Sequence, residues 1–156
     1  RLRTLQFADP RTPARPATLR RVALLALAPA GHALEAGMRA IDNADYQQAI
    51  KSFQRSVDLD RKFALGYGGL GLAHAYLGQN GQAKDYASKC ASRGSKDSEA
   101  LALSGQIWIT MRDSENKWFK RASSHLKNAL KRDEAHEGAM YWYGVAHLYN
   151  YQFDEA

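Results

Sequence analysis

Apolar residues recur along most of the chain at the spacing of one helix face. In residues 44–60, ADYQQAIKSFQRSVDLD, such a stripe runs through Ala49, Phe53 and Val57, with charged side chains on the opposite side. Residues 68–90 read as a helix, a turn at 78–81 and a second helix. No stretch sustains the alternation typical of a strand. The pattern therefore predicts a chain built of helices.

Small residues repeat with a fixed period. Four glycines are separated by 34, 34 and 39 residues: Gly37, Gly71, Gly105 and Gly144. Four alanines are separated by 34, 39 and 34 residues: Ala49, Ala83, Ala122 and Ala156. One insertion of five residues within 112–118 explains the irregular gaps. A period of this length predicts units of two helices that stack, with the small residues where helices approach closely.

The phased positions resemble those of the tetratricopeptide repeat. The residues that carry the resemblance are Tyr46, Ala49 and Phe53, then Tyr67, Leu70, Gly71 and Ala83, then Tyr143, Gly144, Phe153 and Ala156. The proline usual between units is missing. The resemblance implies an all-α right-handed superhelix of antiparallel helix pairs, with units at about 30–63, 64–97, 98–136 and an incomplete 137–156. The second helix of the last unit is expected to begin near Phe153.

The N-terminal arm, residues 1–29, has a different composition from the rest. Residues 1–30 hold six arginines and one aspartate, so they carry five of the six net positive charges of the chain. All four prolines lie in the same arm. Residues 17–28 read as a helix that caps the first unit, or residues 20–33 as a targeting signal. The cytoplasm is favoured as location; a signal would point to a bacterial envelope or an organelle.

Several motifs of catalytic or ligand-binding type lack their context. GYGGLG at 66–71 matches a dinucleotide fingerprint, but a helix precedes it instead of a strand. His74 and His147 have no third ligand at metal spacing, and Cys90 occupies the phase of the small residues Ser56 and Ala129. We therefore expect no catalytic residues, no cofactor and no metal, and hence a protein that is not an enzyme.

In tetratricopeptide repeats the first helix of each unit lines the concave side, so the resemblance implies a groove there. The expected groove residues stand at fixed distances from the phased glycines: Leu34, Met38, Ile41, Leu72, Tyr76, Leu103, Gln106, Ile109, Tyr141, Trp142, Val145 and Tyr149. Aromatic anchors of this kind are typical of interface hot spots. The absence of basic residues at these positions argues against a clamp for acidic C-terminal tails.

The sequence thus favours a scaffold or adaptor that binds a peptide or helix of a partner protein, within a larger assembly. Two alternatives stay open. One is a nucleic-acid-binding helical repeat that uses the arm and the basic residues 117–132, which otherwise read as a solvated face. The other is the regulatory repeat region of a larger enzyme. No apolar run has the length of a transmembrane helix.

Overall fold

The computed structural model describes residues 28–154, and within them the chain forms seven helices. They are α1 (Pro29–Asp42), α2 (Tyr46–Leu59), α3 (Ala64–Tyr76), α4 (Asn80–Arg93), α5 (Ser98–Thr110), α6 (Trp118–Arg132) and α7 (Glu137–Asp154). The described residues contain no strand. The predicted all-α helical-repeat architecture is confirmed. The predicted capping helix at 17–28 lies outside the described residues except for its last residue. Of the targeting alternative at 20–33, residues 20–27 lie outside them, and residues 29–33 form the start of α1.

Helices pair in the order of the chain. Helix α1 pairs with α2, α3 with α4 and α5 with α6, and these three pairs make the most extensive contacts in the fold. The first helices α1, α3, α5 and α7 also contact one another in succession. The second helices α2, α4 and α6 make at most marginal contacts with each other. The first helices therefore pack against one another along the array, whereas gaps separate the second helices.

Glycines set the distance between paired helices. Phe53 of α2 lies against both Gly37 of α1 and Gly69 of α3, so close that a Cβ at either glycine would collide with the ring. A Cβ at Gly105 would lie 2.6 Å from Leu126 Cγ of α6. Side chains of the second helices thus press on bare backbone of the first helices, and Phe53 links two units in this way.

The middle first helices are enclosed on nearly all sides. Eleven of the thirteen residues of α3 are buried, and so are eleven of the thirteen of α5. By contrast, α4 buries three of its fourteen residues. The second helices therefore keep a single buried face, which produces the amphipathic stripes of the sequence, whereas α3 and α5 are buried almost all round.

The first two helix pairs turn in the same way. Ala44 and Gly78, which are 34 residues apart, both adopt a positive φ, 56° and 71°. The following amides of Asp45 and Gln79 donate to carbonyls five residues back, those of Ala40 and His74, at 2.9 Å each. This is the Schellman arrangement for ending a helix, which favours glycine at the left-handed position. Ala44 holds that position with a Cβ and therefore at some conformational cost.

The third pair has a longer link, which we call the clasp (residues 111–117). It spans seven residues where the first two pairs use three, and it lies where the sequence places its insertion. On one side, the Ser114 hydroxyl accepts a bond from Asn80 Nδ2 at 2.6 Å, and Glu115 pairs with Lys84 Nζ at 2.8 Å. On the other, the buried Arg112 lies over the ring of Tyr149 in α7, 4.3 Å from its centroid. The clasp thus contacts helices of both neighbouring units.

Helix α7 is longer than the other first helices. These end five residues after the phased glycine, at Asp42, Tyr76 and Thr110, whereas α7 continues to Asp154, ten residues after Gly144. The expectation that a second helix begins near Phe153 is therefore wrong for the described residues, because no turn separates that position from α7. No helix in residues 28–154 has the length and apolarity needed to cross a membrane.

The two equivalent turns give a paired prediction. Ala44→Gly is expected to raise the free energy of unfolding by about 0.5–1 kcal/mol, because glycine removes the clash of Cβ with the backbone at positive φ. Gly78→Ala is expected to lower it by about 1 kcal/mol for the same reason. Denaturant unfolding of both variants checks this. Destabilisation by Ala44→Gly would contradict the turn geometry.

A second pair compares two phased glycines. Gly105→Ala is expected to destabilise the protein by about 1–3 kcal/mol, because the new methyl group meets Leu126. Gly144→Ala is expected to stabilise it by up to about 1 kcal/mol, because nothing lies within 4 Å of its Cβ position and alanine favours helix. Thermal unfolding of the two variants measures the difference. Equal effects would show that the close approach at Gly105 is not required.

Candidate functional site

Most of the expected groove residues lie in the interior of the fold. Seven of the twelve are buried: Leu34, Ile41, Leu72, Gln106, Ile109, Trp142 and Val145. Six of these seven belong to the two apolar clusters that hold neighbouring helices together, and Gln106 is a buried polar residue. The expectation that these seven form an open surface is therefore corrected. They pack between helices, because each first helix contacts at least one neighbouring first helix and at least one second helix.

The other five groove residues keep exposed area. Met38, Tyr76, Leu103 and Tyr149 are half-buried, while Tyr141 is 40% exposed. The two half-buried tyrosines already have aromatic or cationic partners on other helices or links. Tyr76 stacks on Tyr46 with ring centroids 5.0 Å apart, and Tyr149 lies under the guanidinium of Arg112. Their binding role stays a prediction, and only Tyr141 stands on a wide exposed surface.

That surface is one side of α7, which we call the α7 face: Met140, Tyr141, Gly144, His147, Leu148 and Tyr151. Its members lie between four residues before and seven residues after Gly144, so they share one stripe of the helix. Met140 is 47% and Tyr151 62% exposed; with Tyr141 they are three of the four exposed large hydrophobic residues in the described chain. Within the described residues no second helix covers this stripe, so it forms an exposed apolar surface.

Aromatic contacts hold the base of the α7 face. His147 meets the ring of Phe119 at 5.1 Å and that of Tyr143 at 4.6 Å, both edge-on. Tyr141 stands edge-on to the buried Trp142 at 5.0 Å. The opposite side of α7 is anchored in the core by Trp142 and by the other buried residues of that helix, Ala139, Val145 and Ala146. The α7 face thus packs against other side chains on its inner side and is exposed to solvent on its outer side.

The phase of the repeat alone did not reveal Met140 and Tyr151. The signal that would have found them is their spacing of four and seven residues from Gly144. In the other units that stripe is covered by a second helix, as Phe53 covers Gly37 and Leu126 covers Gly105. At Gly144 nothing lies within 4 Å of the Cβ position, and the glycine is exposed.

The motifs of catalytic type are all part of the packing. Residues 66–71 lie inside α3, where Gly68 faces Cys90 and Leu103 instead of a phosphate site. Cys90 is fully buried and its Sγ donates to the carbonyl of Ala100 at 3.3 Å. Burial raises the pKa of this thiol far above its ordinary value, so it remains protonated. Within residues 28–154 no cluster of three or more His, Cys, Asp or Glu side chains has the arrangement of a metal site.

A buried polar pair fixes the start of α7. His136 Nε2 lies 2.9 Å from Glu99 Oε2 at the start of α5, and the amide of Ala139 donates to His136 Nδ1 at 3.0 Å. These two bonds assign the neutral ring a proton on Nε2. The hydrogen bond to Glu99 raises the pKa of His136, while burial opposes the rise. Protonation also places a proton on Nδ1 and so costs the bond from Ala139, which limits the rise.

Comparison with known proteins supports the architecture. No protein-family model matches the chain, and no curated protein matches it in sequence. Among solved structures, the chain is similar to the TPR domain of Arabidopsis OM64, with a TM-score of 0.58 and 16% identity over 78% of this chain and 96% of that one. At this identity the likeness shows the fold, which is that of a tetratricopeptide-like helical repeat.

The His136–Glu99 pair predicts a pH dependence of stability. Because the pKa of His136 is raised above its ordinary 6.5 in the folded chain, the contribution of the pair is complete below that pH and decreases as pH rises through the folded pKa. The stability difference between the wild type and His136→Gln is therefore expected to shrink from about pH 6 to about pH 8. Urea unfolding across this range measures it. When Glu99→Gln is also present, the stability difference caused by His136→Gln should change less with pH. An unchanged pH dependence would contradict the role of the His136–Glu99 hydrogen bond.

Proposed function

We propose that the protein is an interaction scaffold that binds an amphipathic helix of a partner protein on the α7 face, as one component of a larger assembly. The observation that carries this proposal is the open Gly144, the one phased glycine of the described chain with no side chain against it. The tetratricopeptide-like architecture supports a role in protein interaction in general. The residues of the α7 face supply the chemistry for this particular mode of binding.

The repeat itself indicates what fits the α7 face. Gly37 and Gly105 occupy the same phase as Gly144, and each receives a large apolar side chain from an antiparallel second helix: Phe53 in one case, Leu126 in the other. A partner helix that presents one such side chain to Gly144 would repeat this packing. Its flanking apolar residues would then cover Met140, Tyr141 and Tyr151.

The character of the α7 face favours this partner over an acidic tail. Its stripe holds no Lys or Arg, and His147 is engaged with two aromatic rings. The exposed Tyr141 and Tyr151 can bury ring area and still hydrogen-bond through their hydroxyls, as tyrosines do at interfaces. Apolar anchors at helical spacing are the means by which grooves bind amphipathic helices. The half-buried Met38, Tyr76 and Leu103 are further candidate contacts along the first helices.

The chain provides its own test ligand. A synthetic peptide of residues 44–60, which contains α2 and Phe53, is expected to bind the full-length protein with a dissociation constant on the order of 10⁻⁴ M, because folding of the peptide on binding consumes part of the contact energy. Amide shifts in NMR spectra should fall on α7 around Gly144. The same peptide with Phe53→Ala should bind at least about tenfold more weakly, because it lacks the ring that fills the space over the glycine.

A matched pair of variants separates the α7 face from other surfaces. Gly144→Arg is expected to abolish peptide binding, because it places a long charged side chain at the centre of the face. Gly81→Arg makes the same change in α4 at another glycine with nothing within 4 Å, and it should leave binding unchanged. Equal binding by both variants, or shifts confined to other helices, would refute the proposal. If the wild-type protein forms a dimer and Gly144→Arg abolishes it, the α7 face binds a second copy of this chain instead of a helix of another protein.

A further inference from the structure

A cleft of about 730 Å³ opens between the second helices α4 and α6, which we call the outer cleft. It exists because α4 and α6 lie on neighbouring units and make at most marginal contact with each other. Leu101 and Trp108 of α5 line its floor, and Ser88, Ser92 and Asn128 belong to its walls. The volume is in the range of small-molecule sites.

The charge in the outer cleft is entirely positive. Arg121, Lys131 and Arg132 of α6 line it, and none of its lining residues is acidic. Helix α6 contains no Asp or Glu at all. No ion pair of these three cations is found within residues 28–154; Arg121 lies 5.9 Å from the ring centroid of Trp108, which neutralises no charge. The cleft therefore combines three cations with hydrogen-bonding side chains and holds no anion of its own.

His125 shows the effect of this environment. Its side chain lines the outer cleft one turn from Arg121 on the same helix. Burial, and then the charge of Arg121, lower the pKa of His125, so the ring is neutral at pH 7. A neutral imidazole in the same cleft as the Asn128 amide offers hydrogen bonds without adding to the repulsion among the cations.

We propose that the outer cleft binds a small anion that carries two or more phosphate groups. Several cations around one open cleft match a ligand with more than one negative charge, and the arginine forks suit phosphate oxygens. The side-chain amide of Asn128 supplies a neutral donor to a further oxygen, whereas the hydroxyls of Ser88 and Ser92 donate to carbonyls of their own helix. A nucleic acid strand would instead follow the exposed lysines along the whole of α6, including Lys120 and Lys127, which lie outside the cleft.

Inorganic pyrophosphate is the probe for this site. Titration of the full chain should give saturable binding by calorimetry, with NMR shifts on residues 88–95 and 121–132. The Lys131→Gln/Arg132→Gln variant removes two exposed cations and should bind at least roughly tenfold more weakly, because each charge-assisted bond contributes about that factor. Ser92→Glu, which places a carboxylate on the opposite wall, should weaken binding to a similar extent.

The control removes the same charge from the same helix outside the outer cleft. Lys120→Gln/Lys127→Gln should bind pyrophosphate within about twofold of the wild type, because local contacts outweigh the screened field of distant charges. Equal weakening by both double variants would overturn the proposal in favour of a diffuse basic surface. Absence of saturable binding at millimolar pyrophosphate would also overturn it. A twelve-nucleotide RNA that binds more tightly than pyrophosphate and is weakened equally by both variants would assign the surface to nucleic acid instead.

Discussion

The array depends on side chains that press directly on helix backbone. Phe53 lies between Gly37 and Gly69, so one ring sets the distance from α2 to the first helices of two successive units. Leu126 does the same at Gly105. Because these contacts leave no room for a Cβ, the spacing of the layers is fixed by van der Waals contact, which is steep and short-ranged. The burial of α3 and α5 depends on that spacing, because it brings their neighbours into contact with their backbones.

Close packing along the first helices has a consequence for where ligands can bind. With α3 and α5 almost fully buried, little surface remains on the inner side of the array. Exposed surface therefore remains where the packing stops. One such place is α7, whose glycine stripe has no covering helix among the described residues; another is the gap between α4 and α6. The first is apolar and aromatic and the second is basic, so the two surfaces suit different ligands.

The features that follow from the 34-residue period could be predicted from the sequence. The period of small residues predicted paired helices, close approach at Gly37 and Gly105, and an irregular third unit. It could not predict that Leu72 and Trp142 are buried. Periodicity assigns a residue to a helix face but does not say whether a neighbouring helix covers that face. The left-handed backbone conformation of Ala44 could not be predicted, because glycine is the usual indicator of such a turn. The outer cleft depends on the separation of two helices, which no local pattern records.

The clasp changes how the units depend on each other. In a simple repeat array neighbouring units are coupled only through the faces of their helices, so such arrays can lose stability one unit at a time from an end. Here Ser114 and Glu115 reach back to α4 while Arg112 reaches forward to α7. Detachment of α7 would expose the buried Arg112 and loosen the link that also holds α4. The C-terminal half of the array is therefore expected to unfold as one cooperative block instead of fraying helix by helix.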